Sequence, residues 1–584
     1  MFFNITRYYR HVCLLLILCI SATIHSQVRL RYEENYTLTY KEAVSAYQEL
    51  DEAYPEAKLL SYGSTDVGKP LHLFVISSNG NFDPQSLKKE GKAIILILNG
   101  IHPGESCGID ASVEFARDVL GRKHGLYKHL KNTVVCIVPV YNIGGALNRS
   151  AYNRTNMDPL IEAGFRGNAQ NLDLNRDFIK LDSRNAWTFS EIFQLWNPDI
   201  FLDNHVTNGS DHQYTITLIN GVIEKMDAGI GDFLEHVMLP ELYSAMKESP
   251  YEMIPYVSTY KRSPDQGITQ STDPPRYAAG YTSLFNTISF LNETHIYKPY
   301  PEQVKGTYHF MKSLFEFSGE HAEQITRLRK QANSDITLLK EYVLKWELDT
   351  TRVDKIYFKG YAYKSRISDL TGLPLSYYDR NEPWEMEVPY YKTFLPVLTV
   401  PVPDFFIIPQ VWSEVIERLE LNQIEMTSLQ GDTVMEVEVY YIDEISYATR
   451  PYNGHFMHSN IEVTSELMEI KFYRGDILIP LKQKAMRYLM ETLDPRGEDS
   501  FMRWNFFDPI LDSREYTDPS TFEKRAIEIL TKDPELKSDF ERWRTEHPEQ
   551  AASNYGQIRY IYTHSEWAEK TYRRYPVYRI KAGK

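Results

Sequence analysis

The stretch AIILILNGIHPGE, residues 93–105, decides the fold of this chain. Residues 93–98 are all apolar and rich in isoleucine, without the alternation of a strand that faces water on one side. They therefore predict a fully buried strand. Apolar residues then recur at helical spacing over residues 107–116, which predicts a helix behind a short polar loop.

The polar loop brings a histidine and a glutamate together. His102 and Glu105 follow a buried strand and offer an imidazole nitrogen and a carboxylate to one point. Zn²⁺ accepts both kinds of ligand and keeps an open position when it is catalytic. The pattern His-x-x-Glu is also common in ordinary polar loops, so a metal site needs support from further ligands.

Other predicted strands in the first half of the chain also end in a histidine or a glutamate. After a buried strand at residues 133–140, one strand ends in His205 and another ends in Glu293. Strands that alternate with helices at this interval predict an α/β sheet with buried parallel strands. In such sheets ligands bind outside the carboxyl ends of the strands, so these ends are the candidate site.

The length and the charge of the chain limit what it can be. A chain of 584 residues is too long for a single core, so two or more domains are expected. The formal net charge of -15 argues against nucleic acid or an anionic membrane surface as a partner. The oligomeric state stays open.

The N-terminal residues predict export. Arg7 and Arg10 precede the apolar run of residues 12–20, which is too short to span a bilayer, and a polar exit ends at Ser26. We therefore expect residues 1–26 to be a cleaved signal peptide and the mature chain to be periplasmic or extracellular. No further apolar run of about 18 residues follows, so no membrane insertion is expected after cleavage.

The remaining cysteines and the glycosylation sequons add two expectations. Cys107 and Cys136 lie in apolar surroundings, which favours free core thiols over a disulfide. Glycans at sequons beside the candidate site would block it, which favours a bacterial host. These sequons begin at Asn148, Asn153, Asn208 and Asn292.

The pattern of the chain changes near residue 350. Residues 27–346 carry the candidate site and end in a segment, 301–346, whose pattern is helical. Residues 350–584 combine strand-like segments with helical ones, including 520–545, and predict a separate α+β domain. This second domain contains no metal ligands at recognisable spacing, and its role stays open.

Taken together, residues 36–320 resemble the zinc carboxypeptidases of the M14 peptidase family. The positions that match the family's pattern occur in the same order along the chain: His102-x-x-Glu105, Arg154, Asp173-x-Asn175-Arg176, His205 and Glu293. Each motif alone is weak, but the ordered set is far more specific. The resemblance implies a mixed, largely parallel sheet flanked by helices, one zinc ion per chain and a peptide substrate.

The resemblance also implies how the hydrolytic residues act. His102, Glu105 and His205 would bind zinc and leave a position for a water whose pKa falls from about 15.7 towards 7. Glu293 would take the proton of that water as general base and hand it to the leaving amine. Arg154 would stabilise the tetrahedral oxyanion.

The Asp-x-Asn-Arg motif would bind and orient the substrate. Arg176 presents a planar fork that holds a terminal carboxylate by two parallel hydrogen bonds, with help from Asn175. Such a fork makes the enzyme an exopeptidase. Asp173 would accept the second ring N–H of His102 and fix its tautomer.

Some of these assignments have competitors. They are His212 for His205, Arg149 or Arg166 for Arg154, and an ion pair with Asp177 for Arg176.

The sequence also departs from the family's pattern. Gly104 stands where digestive members carry an arginine. The family's mobile substrate-binding tyrosine should lie some twenty residues before Glu293, and Tyr260, Tyr277 and Tyr281 all fit that spacing poorly. No acidic residue stands at the positions expected for the specificity pocket, which favours neutral or apolar terminal residues.

The leading prediction is an exported zinc metallocarboxypeptidase, a peptide hydrolase that removes C-terminal residues. One alternative is a zinc amidase or endopeptidase that acts on cell-wall peptides, with Arg176 bound to a diamino-acid carboxylate. Another is a catalytically inactive binding protein. The presence of Glu293 argues against the inactive protein, because the catalytic carboxylate is usually the first loss in inactive relatives.

Overall fold

The strand, the loop and the helix around His102 form as the sequence predicts. In the computed structural model, a strand at Ala93–Asn99 is followed by a helix at Cys107–Leu120. The structure describes residues 27–157, 160–207 and 209–581. The expected signal peptide and the sequon at Asn208 lie outside the described residues, so they stay predictions.

The first half of the chain builds a large mixed sheet. The strands of this half are β1 (Ala57–Tyr62), β2 (Leu71–Ile76), β3 (Ala93–Asn99), β4 (Thr133–Val138), β5 (Ile200–Thr207), β6 (Ile216–Asn220), β7 (Met253–Pro255), β8 (Ser258–Thr259), β9 (Ile268–Thr269) and β10 (Ile288–His295). All of them except β8 and β9 belong to this sheet. The sheet order is β1-β2-β4-β3-β5-β10-β6-β7. Strands β4, β3, β5 and β10 are parallel, and β6 is parallel to β7. Strands β1 and β2 pair antiparallel with their neighbours, and β6 pairs antiparallel with β10. The predicted mixed, largely parallel sheet is confirmed.

Helices cover both faces of this sheet. They are α1 (Tyr40–Ala53), α2 (Pro84–Lys89), α3 (Cys107–Leu120), α4 (Ile143–Leu147), α5 (Arg184–Trp196), α6 (Ala228–Phe233), α7 (Leu239–Glu248), α8 (Ala278–Ser283) and α9 (Tyr300–Asp335). Ile95 and Ile97 of β3 pack into a core with α1, α3 and α9. Leu96 and Leu98 pack into a second core with α5 on the opposite face. Because both faces are buried, β3 has no polar alternation.

A buried row of asparagines fixes the register of the three central strands. Asn204 of β5 is paired with Asn99 of β3 and with Asn292 of β10. The Asn204 amide nitrogen donates to Asn99 Oδ1 at 2.9 Å, and the Asn292 amide nitrogen donates to Asn204 Oδ1 at 3.1 Å. His205 and Glu293, the next residues along, are also paired. The register therefore places a histidine directly beside a glutamate.

The second half of the chain contains both strands and helices, as the sequence predicts. The strands are β11 (Glu341–Leu348), β12 (Asp354–Ile367), β13 (Pro374–Tyr391), β14 (Phe394–Pro401), β15 (Phe405–Ile408), β16 (Thr427–Ser428), β17 (Thr433–Ser446), β18 (Ser459–Phe472), β19 (Ile477–Pro480) and β20 (Tyr578–Ile580). The helices are α10 (Ser413–Leu421), α11 (Met486–Leu493), α12 (Pro519–Lys532), α13 (Pro534–Glu546), α14 (Pro548–Ala551) and α15 (Asn554–Thr563).

The two halves share a core and a sheet. Met486, Tyr488 and Trp504 belong to the same buried cluster as Leu96 and Leu98 of β3. One sheet has the order β12-β13-β9-β8, so a hairpin of the second half continues two short strands of the first. The division into domains at residues 346–350 stays a prediction.

The helical pattern predicted for residues 301–346 is wrong at its C-terminal end. Helix α9 ends at Asp335, and β11 follows as the antiparallel partner of β14. Leu344 is buried in the core that the two halves share, so a long-range strand pairing overrides the local pattern. The predicted helix at 520–545 is likewise two helices, because Pro534 lacks the N–H that a continuous helix requires.

Two predictions from composition can be compared with the structure. Cys107 and Cys136 are free and buried, as expected. Among the described residues, no helix combines the length and the apolar character needed to cross a membrane.

The asparagine row depends on a close approach of α3 to the sheet. A Cβ added at Gly108 of α3 would lie 2.6 Å from both Asn204 Cβ and Asn99 Oδ1. We expect Gly108→Ala to lower the free energy of unfolding by about 1–3 kcal/mol, because overpacking outweighs the better helix propensity of alanine. Denaturant unfolding of both proteins measures this difference.

Gly431→Ala is the matched control, since a Cβ added at Gly431 meets nothing within 4 Å. Its stability should stay within about 0.5 kcal/mol of the parent protein. Equal unfolding midpoints for the two variants would show that α3 does not constrain the row.

Candidate functional site

Three predicted metal ligands meet at the carboxyl ends of the parallel strands. His102 and Glu105 lie in the loop between β3 and α3, and His205 lies in β5. One ligand atom from each lies within 4.8 Å of the others. All three side chains are buried, so the atoms form a fixed set of two nitrogens and a carboxylate.

Two aspartates orient the two imidazole rings. His102 Nε2 lies 2.9 Å from Asp173 Oδ1, and His205 Nε2 lies 2.9 Å from Asp203 Oδ2. An aspartate carboxylate can only accept, so each Nε2 is placed to donate to its aspartate, and each Nδ1 is the ring nitrogen that faces Glu105. His102 Nδ1 lies 3.1 Å from Glu105 Oε1, and His205 Nδ1 lies 2.9 Å from Glu105 Oε2. This donor set fits the preference of zinc for histidine and glutamate ligands with carboxylates behind them.

Glu105 and Asp173 are both held in their ionised forms. Burial opposes ionisation of Glu105, but His102 and Arg154 outweigh it and hold the pKa of its carboxyl well below the usual range. Burial also opposes ionisation of Asp173, yet the hydrogen bond from His102 and the charge of Arg166 lower its pKa. Glu105 is therefore available as an anionic ligand, and Asp173 as a permanent acceptor for His102.

Glu293 has a different environment. It lies in β10 opposite His205, and its Oε2 atom is buried without a hydrogen-bond partner. Burial raises the pKa of Glu293 to about 8; His205 opposes the rise, and the carboxylates of Glu105 and Asp203 add to it. A carboxylate with a free oxygen and a raised pKa is suited to accept and return a proton near neutral pH.

Two of the three candidate arginines reach the site. Arg154 Nη2 lies 2.9 Å from Glu105 Oε1, and Arg166 Nη1 lies 3.5 Å from the same oxygen. Arg149 instead donates to the backbone oxygens of Thr37 and Glu162. Arg154 and Arg166 are therefore both candidates to stabilise negative charge.

Gly104 makes room for one of these arginines. A Cβ at Gly104 would lie 2.5 Å from Arg154 Cγ and 2.6 Å from the backbone oxygen of Gly164. The departure from the family's pattern at Gly104 thus has a physical reason, because the side chain of Arg154 fills the space that a larger residue would need.

The charge of Arg176 helps to lower the pKa of Asp173, and the Arg176 side chain is held on several sides. Its Nε donates to the Tyr452 hydroxyl at 2.7 Å, its Nη1 donates to the backbone oxygen of Asn175 at 2.7 Å, and its guanidinium lies 4.2 Å from the centre of the Tyr277 ring. The alternative ion pair with Asp177 does not form, since that carboxylate accepts from Lys180 at 2.8 Å and from Ser183.

The structure separates the remaining competitors from the site. His212 stacks on His295 at 4.1 Å between ring centres and is not part of the group of three ligand atoms. Of the three candidate tyrosines, Tyr281 donates to Asn422 in the core and Tyr260 stacks on Tyr391. Tyr277 lies at Arg176.

Sequence reasoning missed three residues of this site. Asp203 stands two residues before His205 in one strand, so both side chains lie on one face, and this alternation was a usable signal. Tyr452 and Asn453 contact Arg176 and Asp173 across separations of 276 and 280 residues. No local pattern indicates contacts of that range.

Comparisons with known proteins indicate a zinc carboxypeptidase. Residues 43–210 match the family model described as zinc carboxypeptidase, M14. The chain is 19% identical over 464 residues to "Carboxypeptidase 2" of Trichophyton rubrum, covering 77% of this chain and 79% of that protein. It is also 19% identical over 456 residues to "Carboxypeptidase 2" of Trichophyton equinum, covering 76% and 78%.

Solved structures with partial similarity include two bacterial enzymes. A metallo-carboxypeptidase from Burkholderia cenocepacia matches 48% of this chain and 70% of its own, with 15% identity and a TM-score of 0.36. A metallo-carboxypeptidase from Pseudomonas aeruginosa matches 49% and 71%, with 15% identity and a TM-score of 0.36.

The donor set leads to a prediction about metal binding. We expect His205→Ala to lose nearly all bound zinc while the fold is retained, because two protein ligands hold zinc poorly. His212→Ala, a buried histidine outside the group of ligand atoms, should keep the metal. Metal analysis of the purified proteins with a circular dichroism spectrum decides the matter. Zinc retained in His205→Ala and lost in His212→Ala would show that the wrong histidine has been named.

Proposed function

Because this chain carries a domain of the zinc carboxypeptidase family M14 and is a peptide hydrolase, we propose that it removes residues from the C-terminal ends of peptides with one zinc ion per chain. The observation that carries the proposal is Arg176, whose charge helps to lower the pKa of Asp173, the carboxylate that lies 2.9 Å from His102 Nε2. Export is part of the proposal and rests on the sequence of residues 1–26.

The metal site would supply Lewis-acid catalysis. His102 Nδ1, His205 Nδ1 and a Glu105 oxygen would hold zinc, with Asp173 and Asp203 behind the rings. When bound, zinc supplies a Lewis acid that lowers the pKa of water towards 7 and polarises a carbonyl group. A cavity of about 360 Å³ opens beside Glu105 and is lined by Arg154, Arg166, Phe165 and Val206, among others.

Glu293 would move the proton. Its Oε2 takes a proton from the attacking water and returns it to the nitrogen of the leaving amine, so the carboxylate is regenerated in each turnover. The absence of a hydrogen-bond partner for Oε2 within the described residues supports this role. An oxygen that already accepts a hydrogen bond would be a weaker base.

Arg154 would stabilise the negative charge that develops on the carbonyl oxygen. Its guanidinium lies at Glu105, on the wall of the same cavity. Loss of such a donor raises the barrier by about 3 kcal/mol. Arg166 has Asp173 as a second partner at 2.8 Å, which leaves it fewer free N–H groups for substrate than Arg154.

Arg176 would select the peptide's end. A guanidinium that faces a carboxylate forms two parallel charge-assisted hydrogen bonds, and a chain interior offers no such group. Asn175 keeps the motif in place, because its Oδ1 accepts from the backbone N–H of Ala278 at 3.3 Å. A free terminal carboxylate is therefore the feature of the substrate that Arg176 recognises.

Glu293 is tested by removing its charge. Glu293→Gln should keep zinc and substrate affinity, but its kcat should fall by about 10²–10⁴-fold, the range of general acid–base groups. Glu469→Gln, at an exposed position, is the control and should keep its kcat. Near-normal turnover of Glu293→Gln would remove Glu293 from the mechanism.

The exopeptidase assignment is tested with one peptide in two forms, free acid and C-terminal amide. Hydrogen bonds to charged groups contribute about 1.5–3 kcal/mol. The kcat/KM should therefore favour the acid by about ten- to hundredfold. Arg176→Ala should abolish most of this preference by slowing only the acid, and Arg176→Lys should restore little of it.

Arg366→Ala, on the exposed end of β12, is the control for Arg176→Ala and should keep the full preference. Equal rates on acid and amide with the unaltered enzyme would refute the carboxypeptidase proposal. That result would favour the alternative of an amidase or endopeptidase.

A further inference from the structure

A tight turn from the second half of the chain enters the candidate site. In the turn Tyr452-Asn453-Gly454-His455, the Tyr452 N–H donates to the His455 oxygen at 2.7 Å and the His455 N–H donates back at 3.2 Å. The two central residues have φ values of 49° and 88°. Positive φ at both positions is the property of the hairpin turns that Asn-Gly favours. We call these four residues the 452–455 turn.

The 452–455 turn is anchored at both of its ends. His455 Nε2 lies 2.8 Å from Asp182 Oδ2, on the first half of the chain. The Tyr452 ring stacks on Trp504, with 6.1 Å between ring centres, and Trp504 is fully buried. A hydrogen bond to Asp182 on one side and a buried aromatic ring on the other hold the Tyr452 hydroxyl in one place.

The centre of the turn binds the backbone of Asp173, the first residue of the Asp-x-Asn-Arg motif. Asn453 Oδ1 accepts from the Asp173 N–H at 2.7 Å, and Asn453 Nδ2 donates to the Asp173 oxygen at 3.2 Å. The amide thus satisfies both polar groups of one residue's backbone. Arg176 follows three positions later, so the turn fixes the backbone from which its side chain extends.

The Tyr452 hydroxyl determines which edge of the guanidinium is free. A guanidinium can bind a carboxylate through Nε and one terminal nitrogen, or through both terminal nitrogens. In Arg176 the Nε–H is donated to Tyr452, so the first edge is occupied. One N–H of Nη1 goes to the Asn175 oxygen, and the Tyr277 ring covers one face of the group. The edge formed by both terminal nitrogens is left for a ligand.

We propose that Tyr452 is a positioning residue that aims Arg176 at the terminal carboxylate of the substrate. The second half of the chain thereby completes the substrate site instead of being an appendage to it. The inference rests on the proposed function, since it requires a substrate with a free carboxylate. It goes further by assigning a role in recognition to residues outside the 43–210 match.

The test is Tyr452→Phe, which keeps the ring on Trp504 and removes only the hydroxyl. We expect KM for the free-acid peptide to rise about tenfold, or about 1.4 kcal/mol, with kcat within about twofold. The rate on the amidated peptide should not change, so the preference for acid over amide should fall by the same factor. Zinc content and the thermal midpoint should stay at the values of the parent protein. Tyr447→Phe, which removes an exposed phenol from the same segment, should change none of these quantities.

A double variant shows whether Tyr452 acts through Arg176. In the Arg176→Ala background, Tyr452→Phe should have no further effect on KM, because the group that it positions is gone. An equal rise in KM in both backgrounds overturns the proposal, as does an unchanged KM in the single variant. Loss of zinc or of thermal stability in Tyr452→Phe also overturns it, since the hydroxyl would then be merely structural. If the parent enzyme cleaves acid and amide equally, the proposed function fails instead.

Discussion

The pairing of β3, β5 and β10 is the constraint on which the rest of the site depends. Side chains alternate between the two faces of a strand, so a slip by one residue would turn His205 away from Glu293. The buried row of Asn99, Asn204 and Asn292 opposes such a slip, because each amide loses its buried partner when the register changes. The polar row thus stabilises one particular alignment of three strands that are otherwise almost uniformly apolar.

Four neighbouring carboxylates in this alignment have two different roles. Asp173 and Asp203 each face an imidazole Nε2, and they hold the rings. Glu105 and Glu293 differ in their neighbours: Arg154 lies at Glu105, whereas Glu293 Oε2 has no hydrogen-bond partner among the described residues. One carboxylate is therefore kept anionic, and the other has its pKa raised to about 8 by burial. Pairs of acids whose environments drive their pKa values apart are typical of hydrolytic sites.

Local and long-range contacts differ in how well the sequence predicts them. The buried strand, the helix behind it and the pair of His102 and Glu105 follow from patterns within a few residues. The third ligand, His205, was named from the resemblance to zinc carboxypeptidases, and the structure brings the three together. Strand β11 was mistaken for helix because its partner β14 lies about fifty residues further along. Tyr452 and Asn453 were missed for the same reason, since nothing near residue 452 identifies Arg176 as a partner.

The shared core explains how the 452–455 turn, distant in sequence from Arg176, is held firmly enough to position the Arg176 guanidinium. Helix α8 packs on β5 and β10 of the sheet, and residues in and next to it also contact the second half. Tyr281 donates to Asn422 at 2.7 Å, and the Phe285 ring stacks on Tyr488 at 5.6 Å. Arg276, just before α8, binds Asp499 at 2.8 Å.

These contacts tie the second half to the same layer of residues that faces the leucine side of β3. Close-packed interiors are hardly compressible, so the shared core fixes the position of the 452–455 turn relative to the strands. A loop that hung from a flexible linker would have to be ordered by the substrate, at a cost in affinity. A turn held by the common core avoids that cost, and the fold of the second half is for this reason part of the geometry of the site.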